Sequence, residues 1–182
     1  WPWPGALVEQ WLERLRGVAV HRYPDPGAGR LKGQLREAMG VPEGAGLILG
    51  NGSDELIQLI NLAVAAGGRT VLAPSPSFAM YRLLAAAAGA EYAEFPLGEA
   101  FGLDTAAARA ALEAHTPAVT YLAHPNNPTG NGLDLEAVAA VAEAADGLVV
   151  VDEAYYAYAE ASFLPRVLEH PNVVVLRTLS KV

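Results

Sequence analysis

The chain is 182 residues long, 52% hydrophobic and 18% charged, with a formal net charge of −8 at pH 7 and no cysteine. This is an ordinary globular composition, long enough for one large domain or a domain plus part of a second. It excludes disulfides and thiolate metal centres, and it argues against a nucleic-acid partner, which needs a clustered basic footprint.

The densest basic group, Arg14, Arg16, Arg30, Lys32 and Arg36, fits solvated helix faces. The four histidines, His21, His115, His124 and His170, have no metal-ligand spacing, so no metal is expected. No basic-then-apolar leader opens the sequence, and no apolar run approaches the ~20 residues of a membrane span. A cytoplasmic protein with no membrane partner is therefore expected.

Leu7, Trp11, Leu12 and Leu15 share one face of a helix predicted over 5–16. The connection Tyr23-Pro24-Asp25-Pro26-Gly27 suits neither helix nor central strand. A helix over 28–39 follows, stopped by Gly40 and Pro42. Leu47-Ile48-Leu49 is predicted as a strand, leading through Gly50-Asn51-Gly52-Ser53-Asp54-Glu55 into a helix with Leu56, Ile57, Leu59 and Ile60. Strands then alternate with helices: strand 71–73, helix 77–88, strand 91–95, helix 104–114, strand 118–123, helix 133–145, and strands 148–151 and 173–176. Such alternation predicts an α/β three-layer sandwich with a mainly parallel sheet.

Polar residues gather where strands run out: Ser53 and Asp54, Asn127, Asp152 and Tyr155, Ser180 and Lys181. Ligands of open α/β sheets bind at that edge. Gly50-x-Gly52-Ser53-Asp54 could present N–H groups to an anion at a helix start, or Ser53 or Asp54 could simply cap the helix. Asn126-Asn127-Pro128-Thr129-Gly130 is equally good turn material. Asp152, directly after an apolar strand, needs a cation or a set of donors, because an unpaired buried charge is very costly. Lys181 could be one more surface lysine, or an amine of the kind that forms Schiff bases with PLP (pyridoxal 5'-phosphate).

Gly52-Ser53-Asp54-Glu55, Asn126-Asn127-Pro128-Thr129-Gly130, Asp152-Glu153-Ala154-Tyr155 and Thr178-Leu179-Ser180-Lys181 stand in the order and spacing of the fold-type I PLP-dependent aminotransferases. With Arg22-Tyr23-Pro24-Asp25-Pro26 near the start, the chain most resembles the histidinol-phosphate aminotransferase branch. The resemblance spans nearly the whole chain. It implies the large domain of that fold, with Lys181 holding PLP as a Schiff base and then moving the substrate proton. Asp152 would pair with the pyridinium nitrogen, while Asn127 and Tyr155 would bond the phenolic oxygen. Gly52, Ser53, Asp54, Thr178 and Ser180 would cradle the phosphate, and Phe78 would stack on the ring where tyrosine is commoner. Tyr23 would reach the phosphate of a neighbouring subunit, which implies a homodimer.

By the same resemblance, residues 1–22 form a segment contributing to a small domain or dimer arm, and 23–182 form an incomplete PLP-binding large domain. The opening Trp1-Pro2-Trp3-Pro4 and the stop at Val182 suggest trimming at both ends. The arginines expected for the cofactor phosphate and the substrate carboxylate would lie beyond Val182, so the isolated chain is expected to be inactive. His124 replaces a commoner asparagine, within reach of the site's rim, with little expected effect on function.

The implied activity is transamination of histidinol phosphate with 2-oxoglutarate, in histidine biosynthesis. A threonine-phosphate decarboxylase or an aromatic or aspartate aminotransferase would share the cofactor chemistry. A non-catalytic PLP-binding regulatory domain is the alternative of another class.

Overall fold

The computed structural model describes residues 2–181, which fall into two compact units dividing between Ala38 and Met39. The first contains α1 (Gly5–Arg16) and most of α2 (Gly29–Met39). Asp25 starts α2 by accepting from the Gly27 and Gly29 N–H groups, both at 3.0 Å. Those bonds hold its carboxyl below the usual range.

The second unit is an α/β sandwich. Its sheet has five strands, β1 (Thr70–Ser75), β2 (Glu91–Pro96), β3 (Val119–Ala123), β4 (Leu148–Asp152) and β5 (Val173–Leu176), in the order β2-β1-β3-β4-β5. Every pairing is parallel. Four helices belong to this unit: α3 (Ser53–Val64), which precedes β1, and α4 (Met80–Ala87), α5 (Thr105–His115) and α6 (Leu135–Ala144), which connect successive strands.

Alternate side chains of the strands point to opposite faces, which divides the core in two. Leu72, Leu122, Val149 and Val151 pack with Ala108 and Leu112 of α5 and Val138 and Val141 of α6. On the other face Val71, Ala73, Tyr121 and Val150 pack with Ile57 of α3 and Tyr81 of α4. Continuous apolar strands are the signature of a sheet covered on both sides. Asp104 and Asp134 cap α5 and α6, accepting backbone N–H bonds at 2.9–3.0 Å. At the entry to β4, a Cβ on Gly147 would sit 2.3 Å from the Pro117 carbonyl oxygen, so only glycine fits there.

Leu47-Ile48-Leu49 does not form the expected strand: the segment has no ladder partner among the described residues, and Ile48 is 77% exposed. An isolated strand leaves its backbone groups unpaired, so the apolar run alone was not enough. Short 3₁₀ turns at Glu99–Phe101, Tyr156–Tyr158 and Leu164–Glu169 are additions that no periodicity announced. Among the described residues, no helix is long and apolar enough to cross a membrane, and no cluster of three or more His, Asp or Glu could hold a metal.

One irregularity of the sheet positions the site. The Thr70 carbonyl accepts from the Ala118 N–H, so even-numbered residues of β1 present their backbone groups to β3. Pro74 belongs to that series and has no N–H to give. Pairing between β1 and β3 accordingly stops after Leu72 and Thr120, whereas β1 and β2 stay in register to Ser75 and Pro96. The strands part at the point where the order of the sheet reverses, the place where open α/β sheets leave a crevice.

Candidate active site

A cavity of about 280 Å³ lies at the carboxyl ends of β1, β3 and β4. Its lining includes Gly52, Ser53 and Asp54 from the turn before α3 and Phe78 from the loop after β1. Asn127 comes from the loop after β3, Asp152 and Tyr155 from the end of β4, and Ser180 and Lys181 from beyond β5. Segments distant in sequence thus deliver these residues to one space.

Gly52 takes φ +87°, a left-handed conformation that glycine adopts without strain, and it forms the N-cap of α3. No side chain caps the helix, so Ser53 and Asp54 are not the capping residues that the sequence alone allowed. The Glu55 carboxylate instead accepts from the Asn51 backbone N–H and side-chain amide, which holds the turn shut and its own carboxyl below the usual range. The first N–H groups of α3 are left at the edge of the cavity, suited to an anion.

The two asparagines of the β3 loop divide their work. Asn126 is 3% exposed and structural. It accepts from Ser77 Oγ at 2.9 Å and donates to the Pro76 carbonyl at 3.0 Å and Thr129 Oγ1 at 2.8 Å. That ties the Phe78 loop to the Asn127 loop and leaves half-buried Asn127 facing the cavity. His124 does not reach the rim. It is buried, with Nδ1 accepting from the Leu133 N–H at 2.9 Å and Nε2 therefore donating to the Ala161 carbonyl at 3.1 Å.

Asp152 is 4% exposed and pairs with no cation among the described residues. Oδ2 accepts from Tyr81 Oη at 2.8 Å and Oδ1 from the Ala154 N–H at 3.0 Å. Burial pushes its carboxyl above the ordinary range; the two hydrogen bonds oppose this, and the charges of Asp54 and Glu153 add to it. Tyr81 was not expected at the site. It is fully buried, and burial together with the neighbouring Asp152 charge holds its phenol well above the usual range.

Next to this unpaired acid is a fully paired one. Glu153, at 0% exposure, accepts from the Phe163 N–H at 2.6 Å, Ser162 Oγ at 2.9 Å and Arg177 Nε at 3.0 Å. Arg177 also donates to the Met39 carbonyl at 3.0 Å and lies over the Tyr156 ring, 4.4 Å from its centroid. The pair clamps the end of β4 to the end of β5, and so sets Asp152 against the segment carrying Lys181. Replacing Arg177 by methionine leaves Glu153 buried without a cation, at an expected cost of about 3–5 kcal/mol. Urea denaturation measures it, and a Glu153→Gln, Arg177→Met double variant is expected to recover part of the loss.

Beyond β5, Thr178 is buried behind the lining. Its Oγ1 accepts from the Ser180 N–H at 3.2 Å and lies 3.0 Å from Ser180 Oγ. This turn presents Ser180 and Lys181 to the cavity. Lys181 is exposed, with Nζ 5.9 Å from the centroid of the Tyr155 ring. Tyr23 belongs to the first unit, where its side chain is fully exposed.

An amine, a buried carboxylate, a helix start and a flanking aromatic ring converging on one crevice suit a phosphorylated, cationic heteroaromatic ligand. Residues 4–182 match the family of class I and II aminotransferases, and the chain belongs to it. It is 51% identical over 180 residues to histidinol-phosphate aminotransferase 2 of Nitrosococcus oceani, covering 99% of this chain and 50% of that protein. It is 47% identical over 176 residues to the histidinol-phosphate aminotransferase of Neisseria meningitidis serogroup B, covering 97% of this chain and 48% of that protein. Among solved structures, the histidinol-phosphate aminotransferase of Sinorhizobium meliloti in complex with pyridoxal-5'-phosphate is similar, with a TM-score of 0.83 at 29% identity, over 99% of this chain and 49% of that one. The chain spans about half the length of the curated relatives it matches.

Proposed function

We propose that this chain is the cofactor-binding part of a PLP-dependent transaminase that acts on histidinol phosphate, with 2-oxoglutarate as the amino acceptor. The observation that carries the reading is Asp152, a buried carboxylate with two donors and no cation, facing a cavity that also receives Lys181. A protonated ring nitrogen would complete it. The residues fit the rest of PLP as well: the uncapped start of α3 with Ser53, Asp54 and Ser180 for the phosphate, Phe78 for the ring face, and Asn127 with Tyr155 for the phenolic oxygen.

When bound, PLP supplies an electron sink for the bond broken at the substrate α-carbon. Asp152 keeps the ring nitrogen charged. Lys181 Nζ would hold the cofactor and, once freed by the incoming substrate amine, would move the proton from the substrate α-carbon to the cofactor. Tyr23 we assign to the phosphate of a second subunit in a homodimer, with residues 1–22 as the arm and 23–182 as the large domain.

The test is to load the full-length protein with PLP, reduce it with borohydride and locate the pyridoxyl group by mass spectrometry. A label on Lys181, with glutamate formed from 2-oxoglutarate only when histidinol phosphate is present, supports the reading. Labelling elsewhere, or none, rejects it. Release of CO₂ from threonine phosphate, with no glutamate formed from 2-oxoglutarate, would redirect it to decarboxylation.

A further inference from the structure

Tyr81 sits where no exchange with solvent is available to it. Its ring is stacked on Tyr121, with centroids 4.7 Å apart and planes 13° apart, and it meets Phe78 edge-on at 5.5 Å and 86°. Tyr121 is itself pinned, donating to Asn61 Oδ1 at 2.7 Å, with the Ile57 carbonyl 3.3 Å away. The packing of these three rings therefore fixes the direction of one hydroxyl, and that hydroxyl meets Asp152 Oδ2 at 2.8 Å. We infer that Tyr81 is a positioning residue: its phenol keeps the buried Asp152 carboxylate ionised and holds it facing the cavity.

The chemistry of the donors supports this. An ionised carboxylate only accepts hydrogen bonds, so the Tyr81 O–H and the Ala154 N–H both favour the charged form. They work against burial and against the negative charges of Asp54 on α3 and Glu153 on the chain. Arg177 compensates Glu153. Tyr121 of β3 also faces the group, and Tyr155 and Lys181 share its cavity. Of the two donors, the backbone N–H is common to any sequence; Tyr81 is the one that substitution can remove. Its phenol is held protonated, which keeps the donor constant across the working pH range. The value of an ionised Asp152 to a ring cation rests on the PLP reading, whereas the effect of Tyr81 on Asp152 does not.

The experiment is a carboxyl titration followed by ¹³C NMR on PLP-free full-length protein labelled at aspartate, with the Asp152 signal assigned by its loss in Asp152→Asn. Tyr81→Phe keeps the rings and removes the donor. It is expected to raise the proton affinity of Asp152 about ten- to hundredfold, one to two pH units in midpoint. Replacing Tyr81 by 3,5-difluorotyrosine, a stronger donor of nearly the same shape, is expected to lower the midpoint. The second variant decides the matter if the first does not fold, since a purely packing role for Tyr81 would leave the midpoint insensitive to donor strength. Midpoints that stay at the wild-type value overturn the inference. A parallel PLP titration of the wild type separates the two claims: failure to bind PLP would sink the proposed function and leave the carboxyl titration to judge Tyr81.

Discussion

In the full-length protein, Lys181→Ala is expected to abolish covalent attachment of PLP and to lower the proposed transamination by a factor of roughly 10⁴ or more, the scale of losing a nucleophile that acts as part of a unit. Stability of the PLP-free protein should scarcely change. Lys181 is exposed and is held in no ion pair among the described residues, so a shift in melting temperature beyond about 2 °C is not expected. Non-covalent cofactor binding should survive in part, because the helix start, Asn127, Asp152 and Tyr155 are untouched. Mass spectrometry after borohydride and turnover on the PLP-loaded protein, with thermal unfolding of the PLP-free form, check all three statements. Residual turnover within tenfold of wild type would place the reactive amine elsewhere.

Asp152→Asn is expected to move activity and stability in opposite directions. The amide can still accept from the Ala154 N–H and can donate to Tyr81 Oη, so the shape of the site survives. The charge that would hold a ring nitrogen protonated does not, and turnover should fall by roughly 10²–10³ or more. Stability should rise, because a buried carboxylate with no cation carries a desolvation cost that a neutral amide avoids. The sign follows from linkage. The folded carboxyl binds its proton more tightly than the unfolded one, whose value is about 3.9, so wild-type stability falls as pH rises from there through the raised folded value. The variant has no such loss. Its advantage is therefore small at low pH, opens through that window and is constant above it, with a rise in melting temperature of roughly 2–4 °C at neutral pH. Melting curves of PLP-free wild type and variant across that range measure the gap. A variant less stable than wild type at neutral pH would show that Asp152 has a compensating cation.

The strands and helices of the second unit were legible because their signals are local. An apolar run such as Leu148-Val149-Val150-Val151, closed by Asp152, says at once that a strand is covered on both faces and where its chemistry begins. That Lys181, Asn127 and Tyr155 meet at one cavity was legible through the joint spacing of short motifs. Tyr81 was not, since an aromatic residue at helical spacing reads as core, and it is core; its link to Asp152 crosses 71 positions of sequence. Glu153 had a motif position but no visible partner, because Arg177 lies 24 residues away at the end of another strand. Asn126 and Asn127 are adjacent and chemically identical, and only the fold decides which one braces the loops. Leu47-Ile48-Leu49 failed in the opposite sense: a strand is a property of two segments, and the sequence of one cannot supply the other.

The cavity draws on residues from Asn51 to Lys181, nearly the whole of the second unit. No early-folding fragment can hold its ligand, since the parallel strands come together only through long crossovers that close late. Whatever fills the crevice therefore binds the finished fold and none of its precursors. By mass action, a ligand at a hundred times its dissociation constant adds about 2.7 kcal/mol to the whole unit. Survival of the protein against heat and proteases is then set in part by how much ligand its surroundings hold. A shortage of the ligand would remove the protein as well as idle it.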